Sequence, residues 1–145
     1  MSNLRVAKTE EFDEIFSILE NSFPPDEYRT YEGQKALWNH PKYTVYVIPD
    51  DESDCIKAFI TVWKFENFAF IEHFAVNPLY RNQGLGSLIL HEIMNLLPCQ
   101  ICLEVELPET DFAKKTNWIF TRENVRLADV CQSELYLRLR RQVRR

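Results

Sequence analysis

Apolar positions along the chain fall into alternating helical and extended periods. Phe12, Ile15, Phe16, Leu19 and Phe23 recur at three- and four-residue steps, which places them on one face of a helix. Thr9 is placed to cap it, with Glu10 and Glu11 in the first turn, where negative charge meets the positive helix end. Leu4 to Ala7 reads as a short strand before it, and Pro24 with Pro25 stops it. A second helix is predicted around Tyr31 to Trp38, ending before His40 and Pro41. Tyr43 to Ile48, Ile56 to Trp63 and Phe68 to Val76 are apolar strands; a polar turn at 49–54 follows the first, and the last two are close enough to pair antiparallel. A helix then runs from about Gly84 to Leu97 with Leu85, Leu88, Ile89, Ile93, Leu96 and Leu97 as its apolar face, and Pro98 closes it. Ile101 to Leu107 is a further strand in which apolar and acidic residues alternate. The order implies a mixed α/β (α+β) domain, antiparallel strands first and a strand–helix–strand crossover after them. Beyond Pro108 the chain has neither glycine nor proline. There Ala128, Cys131, Leu135 and Leu139 fit a helix, while Leu135, Leu137 and Leu139 fit a strand.

Composition sharpens this picture at a few points. With 145 residues, 46% hydrophobic and 27% charged, the chain suits one well-cored domain and excludes wholesale disorder. The N-terminus turns acidic before any leader-like apolar stretch, and no window approaches the roughly 18 apolar residues of a membrane helix. A cytoplasmic protein with no membrane partner is the expectation. Four cysteines, Cys55, Cys99, Cys102 and Cys131, occur in a chain with an ample core, so disulfide stapling is unnecessary. The lone Cys99-x-x-Cys102 lies in an apolar run with no second pair or histidine nearby, so the two read as buried reduced thiols and no metal site is expected. Residues 1–115 carry 10 Lys/Arg against 19 Asp/Glu, and residues 116–145 carry 7 against 3. An acidic body argues against nucleic acid as a partner. The basic end, Leu137 to Arg145, reads as a solvated tail, with docking on an acidic partner as the other reading.

Only three glycines occur, and two of them, Gly84 and Gly86, sit one residue apart where a strand gives way to a helix. The first N–H groups of a helix have no carbonyl partner and point outward at the positive end of a dipole worth about half a charge. Glycine there removes the Cβ atoms that would hold a ligand's oxygens off the backbone, and Arg81 adds a full positive charge. The combination suits a pyrophosphate. A turn that merely permits close packing is the other reading. A dinucleotide fingerprint fails because position 89 is Ile89, and a P-loop fails because Ser87 and Leu88 follow Gly86.

Arg81-Asn82-Gln83-Gly84-Leu85-Gly86 resembles the Arg/Gln-x-x-Gly-x-Gly/Ala motif of the GNAT superfamily of N-acetyltransferases. Ile71 to Pro78 is similar to that family's fourth strand and the turn after it, and the element order from residue 4 to about 107 follows the family's. The resemblance implies a mostly antiparallel mixed sheet with helices on both faces. It also implies acetyl-CoA as co-substrate in a cleft where the fourth and fifth strands splay. The pantetheine arm would pair with the backbone of Phe74, Ala75 and Val76, and the pyrophosphate would sit on Asn82, Gln83, Gly84, Leu85, Gly86 and Ser87 beside Arg81. Transfer would be direct, an acceptor amine attacking the thioester, with Glu72 as the candidate base. A purely structural ion pair is the alternative for Glu72. His73, by strand alternation, is expected on the opposite face as a packed residue, and His91 on the helix surface. The acceptor would meet the loop between the first two helices, where Phe23, Tyr28 and Arg29 combine aromatic and charged groups; an ordinary capped loop explains the same residues.

The resemblance breaks after Pro108. Family members continue with a segment resembling Arg-Ile-Gly-Phe-Tyr, whose tyrosine protonates the departing thiolate, and with two more strands. This chain reads Lys115-Thr116-Asn117-Trp118-Ile119-Phe120 instead. One extra adenine in codons for Lys-Arg-Ile-Gly-Phe yields Lys-Thr-Asn-Trp-Ile. Residues 1–115 are therefore expected to form the acetyl-CoA-binding domain and 116–145 an atypical basic segment, with the family's last strands missing or altered. Apolar groups of that segment would collapse onto the sheet edge or onto a second copy, which makes a homodimer conceivable. A catalytically impaired acyl-CoA-binding or interaction protein is the alternative function.

Overall fold

The computed structural model describes residues 3–103. The chain opens with β1 (Arg5–Val6), α1 (Phe12–Ser22) and α2 (Tyr31–Ala36), continues through β2 (Tyr43–Pro49), β3 (Ile56–Lys64) and β4 (Phe68–Val76), and then forms α3 (Leu85–Leu96) and β5 (Gln100–Leu103). The five strands make one sheet in chain order. The first three pairings are antiparallel, and β5 returns parallel to β4 through α3. A parallel return needs a crossover, and α3 supplies it. The expected fold class stands.

Both sheet faces are buried, which is why the central strands read as near-continuous apolar runs. On one face Phe12, Ile15, Phe16 and Leu19 of α1 pack on Val45, Val47, Phe59, Trp63, Phe70 and Ala75. On the other, Ile89, Leu90 and Ile93 of α3 pack on Ala58, Ile60, Val62, Ala69 and Ile71. Each Val, Leu, Ile or Phe among them contributes about 1.5–3 kcal/mol by leaving water, and each alanine less, so these two layers hold the domain. Within α3 the buried stripe is Leu85, Ile89, Leu90 and Ile93, with Leu97 just beyond it. Leu96, expected inside, is 52% exposed, because the stripe runs along the four-residue row and leaves position 96 on its solvent side.

Other expectations shift locally. Thr9 does not cap α1; it begins a 3₁₀ turn, Thr9–Glu11. The Glu11 carboxylate instead accepts the Lys8 N–H at 2.7 Å and is held there by Arg5 at 2.5 and 3.0 Å. The second helix is α-helical only to Ala36 and tightens into a 3₁₀ turn at Leu37–Asn39. Of the cysteines, Cys102 is buried and Cys55 is exposed, while Cys99, expected to be buried with Cys102, is only half-buried. Cys102 joins the α1 face and Cys99 packs against the α3 face, so strand alternation divides the Cys-x-x-Cys pair between two cores. Burial pushes the Cys102 thiol up, and Cys99 adds to the shift. Among the described residues no helix is long and apolar enough to cross a membrane. Leu107 and the 116–145 segment lie outside the described residues.

Candidate active site

One irregularity in β4 organises the site. Thr61 of β3 pairs with His73 and Val62 pairs with Ile71, leaving Glu72 as an extra residue. A bulge of this kind resets the alternation of the strand. Upstream of it Phe70 faces α1 and Ile71 faces α3; downstream Ala75 faces α1 while Phe74 and Val76 face α3. Glu72 and His73 consequently point to the same side, correcting the expectation that alternation would part them: Glu72 Oε2 lies 3.7 Å from His73 Nδ1. His91 is exposed on α3, as anticipated. The backbone irregularity is satisfied by Thr61, whose hydroxyl accepts the His73 N–H at 2.8 Å and donates to the His73 carbonyl at 3.3 Å. Thr61 is 1% exposed and His73 4%, so a missing partner there would be costly.

The loop from Phe23 to Thr30 docks on this bulge. Arg29 meets Glu72 bidentately, Nη2 to Oε1 at 2.7 Å and Nη1 to Oε2 at 3.0 Å. Trp63 Nε1 donates to the same Oε2 at 3.2 Å. Arg29 Nη1 also donates to Gln34 Oε1 at 3.3 Å, and Gln34 Nε2 to the Tyr43 hydroxyl at 2.5 Å. The Glu27 carbonyl lies 2.8 Å from His73 Nε2; a carbonyl can only accept, so this nitrogen carries a proton. Burial pushes the Arg29 guanidinium down, but hydrogen bonding and charge from Glu72 outweigh it and hold it above its ordinary value. Burial, reinforced by the Glu72 charge, pushes the Tyr43 phenol up. Phe23 sets its ring edge against His73 at 5.1 Å between centroids. Tyr28 turns away, edge-on to Phe16 of α1 at 6.0 Å. Of the three loop residues singled out in the sequence, two thus reach Glu72 and its neighbour, and Tyr28 joins the core. Gln34, Tyr43, Thr61 and Trp63 were not foreseen here; a buried glutamine on α2 carried no motif, and the others read as ordinary strand residues.

The second half of the site is the turn into α3. Asn82 (φ 64°) and Gly84 (φ 74°) both adopt the left-handed region. Such a turn gathers successive N–H groups into a concavity that suits an anion. Asparagine is among the few non-glycine residues that tolerate this backbone. α3 closes its first bond from Leu88 N–H to the Gly84 carbonyl, so the N–H groups of Leu85, Gly86 and Ser87 belong to the unpaired first turn. A Cβ on Gly84 would meet nothing within 4 Å, and one on Gly86 would touch Phe74 Cζ at 3.5 Å. The turn is therefore open on the outside and closed against β4 on the inside. Gln83 is exposed, Leu85 is buried, and Ser87 is half-buried. Arg81 is exposed and reaches back, Nε to the Val76 carbonyl, at 3.4 Å. The described β4–β5 ladder ends at Ile71–Leu103, while β4 continues to Val76 beside this turn.

The profile of the acetyltransferase (GNAT) family matches residues 11–116. The chain belongs to the GNAT acetyltransferase family. A solved structure from Bacteroides thetaiotaomicron, assigned to the GNAT acetyltransferases, is 33% identical with TM-score 0.72, covering 83% of this chain and 69% of that one. A structure from Clostridium difficile 630, described as a possible acetyltransferase, shares 21% identity at TM-score 0.65, over 82% of this chain and 88% of its own. The ribosomal-protein-S18-alanine N-acetyltransferase of Escherichia coli shares 18% at TM-score 0.55, over 66% of this chain and 59% of its own, and supports the fold alone. No curated protein matches the chain. A GNAT assignment accounts for the order of strands, for the crossover and for a glycine turn opening α3. Among the described residues no group of three or more His, Cys, Asp or Glu stands together as metal ligands.

Proposed function

We propose that this GNAT protein transfers an acetyl group from acetyl-CoA to a primary amine of a small molecule or peptide by direct attack. The observation that carries the reading is the pair of left-handed residues, Asn82 and Gly84, that lead into α3 from β4, the strand that holds Glu72. Backbone N–H groups from Asn82 to Ser87 would hold the pyrophosphate, with Arg81 beside them. Phe74, Ala75 and Val76 would offer their backbone to the pantetheine arm as an added strand would. Bound acetyl-CoA supplies an activated thioester carbonyl. An alkyl amine, with an ordinary pKa near ~10.4, must lose a proton before it attacks. Glu72 would take it, directly or through a water. The new C–N bond replaces the C–S bond, and the departing thiolate takes up a proton. The loop, through Phe23 and Arg29, would meet the acceptor, while Tyr28 fastens it to the core.

A second reading rests on one observation: both Glu72 oxygens are engaged by Arg29. A carboxylate locked in this way suits an acyl-CoA-binding or interaction protein in which catalysis is impaired. Calorimetric titration with acetyl-CoA, alongside thiol release with a panel of amines, separates the two. Binding with amine-dependent thiol release supports the transferase. Binding with release at the hydrolytic background supports the impaired acyl-CoA-binding protein, and absence of binding overturns both CoA readings and leaves the interaction protein.

A further inference from the structure

The turn that opens α3 is fastened to a distant hairpin. Asn77 extends the β4 ladder, its N–H donating to the Lys57 carbonyl at 2.8 Å, and its Nδ2 donates to the Ile56 carbonyl at 2.9 Å. Its Oδ1 accepts the Leu79 N–H at 3.1 Å, starting the 3₁₀ turn Pro78–Tyr80. The turn ends at Tyr80, whose hydroxyl donates to Asp50 Oδ2 at 2.7 Å. Asp50 sits at the tip of the β2–β3 hairpin and is itself fixed. Its N–H donates to the Cys55 carbonyl at 2.8 Å, Oδ1 accepts the Glu52 N–H at 3.1 Å, and Oδ2 accepts the Ser53 hydroxyl at 3.1 Å. Lys57 Nζ stands 5.8 Å from the centre of the Tyr80 ring. Tyr80 thus ties this connection to the hairpin two residues before the left-handed turn at Asn82 and Gly84.

We propose that Asp50 and Tyr80 are positioning residues for the phosphate-binding turn, holding its backbone N–H groups in place from the β2–β3 hairpin. The proposal rests on the acetyl-CoA reading above and adds a residue pair outside the strand and motif that suggested it. Its logic runs against simple charge. An aspartate near a polyanion site repels the ligand, so if charge alone acted, removing Asp50 would tighten binding. If Asp50 instead fixes the turn through Tyr80, removing it loosens binding, because a turn that must be ordered on each encounter loses affinity.

The test is calorimetric titration of the full-length chain with coenzyme A, beside apo melting temperatures by circular dichroism. Tyr80→Phe keeps the ring over Lys57 and removes only the hydroxyl; Asp50→Ala removes the acceptor and the charge. Each should raise the Kd about three- to tenfold with the apo melting temperature little changed, and the double variant should be no worse than either single one. Asp50→Asn, which keeps an acceptor oxygen, should stay within about twofold of wild type. Tighter binding by Asp50→Ala, unchanged binding by Tyr80→Phe, or additive losses overturn the positioning role alone. A wild-type chain that binds no coenzyme A overturns the phosphate reading and the positioning role with it.

Discussion

Arg29 and Glu72, 43 residues apart in sequence, meet through two parallel N–H···O bonds of 2.7 and 3.0 Å. The Glu72 side chain is 7% exposed and that of Arg29 21%. The pair joins the loop between α1 and α2 to the bulge of β4. A fork-to-carboxylate contact fixes orientation as well as charge.

Breaking the pair from the arginine side strands a buried carboxylate. Arg29→Met should destabilise the fold by about 3 kcal/mol, the low end for buried pairs because Arg29 keeps some contact with water. Arg29→Lys should restore part of the loss, since an ammonium reaches Glu72 but cannot bridge both oxygens. Urea denaturation of the three proteins checks the ranking.

Glu72→Gln tests the base. If the amine panel identifies an acceptor, kcat/KM at neutral pH should fall by about 10²–10⁴ and recover in part at high pH, where the amine deprotonates unaided. A loss independent of pH assigns Glu72 to structure, with Arg29 as its reason.

Gly84 is the position where backbone conformation, and not space, excludes side chains. Gly84→Val places a β-branched residue at a left-handed φ, a strain of about 1–3 kcal/mol. The turn should relax away from its open form, weakening acetyl-CoA binding about tenfold or more. At Gly86, alanine makes an ordinary contact with Phe74, whereas Gly86→Val adds branches at the turn and should weaken binding to a similar degree. Titration calorimetry with wild-type-like circular dichroism is the required pair of measurements.

Thr61→Val is nearly isosteric and leaves the bulge without its hydroxyl. The His73 N–H and carbonyl both lose that partner in a buried place, so stability should fall by about 1–3 kcal/mol. Thermal unfolding measures it.

We propose residues 1–115 as the acetyl-CoA-binding unit. Truncation after Lys115 should then leave acetyl-CoA affinity within about threefold, because every CoA contact inferred lies before residue 88. Loss of both folding and binding on truncation would make 116–145 an integral part of the domain.

Strand and helix positions were legible because their periods are strong: β4 and α3 fall within a residue of where the pattern puts them. The glycine turn was legible because two of three glycines meet at one junction. The pairing of Arg29 with Glu72 was not, since sequence spacing says nothing about contacts between a loop and a strand 43 positions away. The shared side of Glu72 and His73 was misread for a different reason. Period-two alternation assumes an unbroken ladder, and a bulge is set by the partner strand, here through Thr61.

That single extra residue also explains a mismatch of sizes further along. Phe74 lies on the α3 side, its ring against Gly86, while the small Ala75 lies beneath α1. Were the same sequence to run through β4 in unbroken alternation, the two would trade places. A phenyl ring would be driven into the layer that Ile15, Phe16 and Leu19 already fill, and a methyl group would stand where a ring now backs the glycine turn into α3. Deleting one residue at 72–73 would therefore remove the bulge and keep the far end on its present sides, whereas pairing the whole sequence without a bulge would turn that end over, leaving the floor of the turn hollow and the opposite layer overfilled.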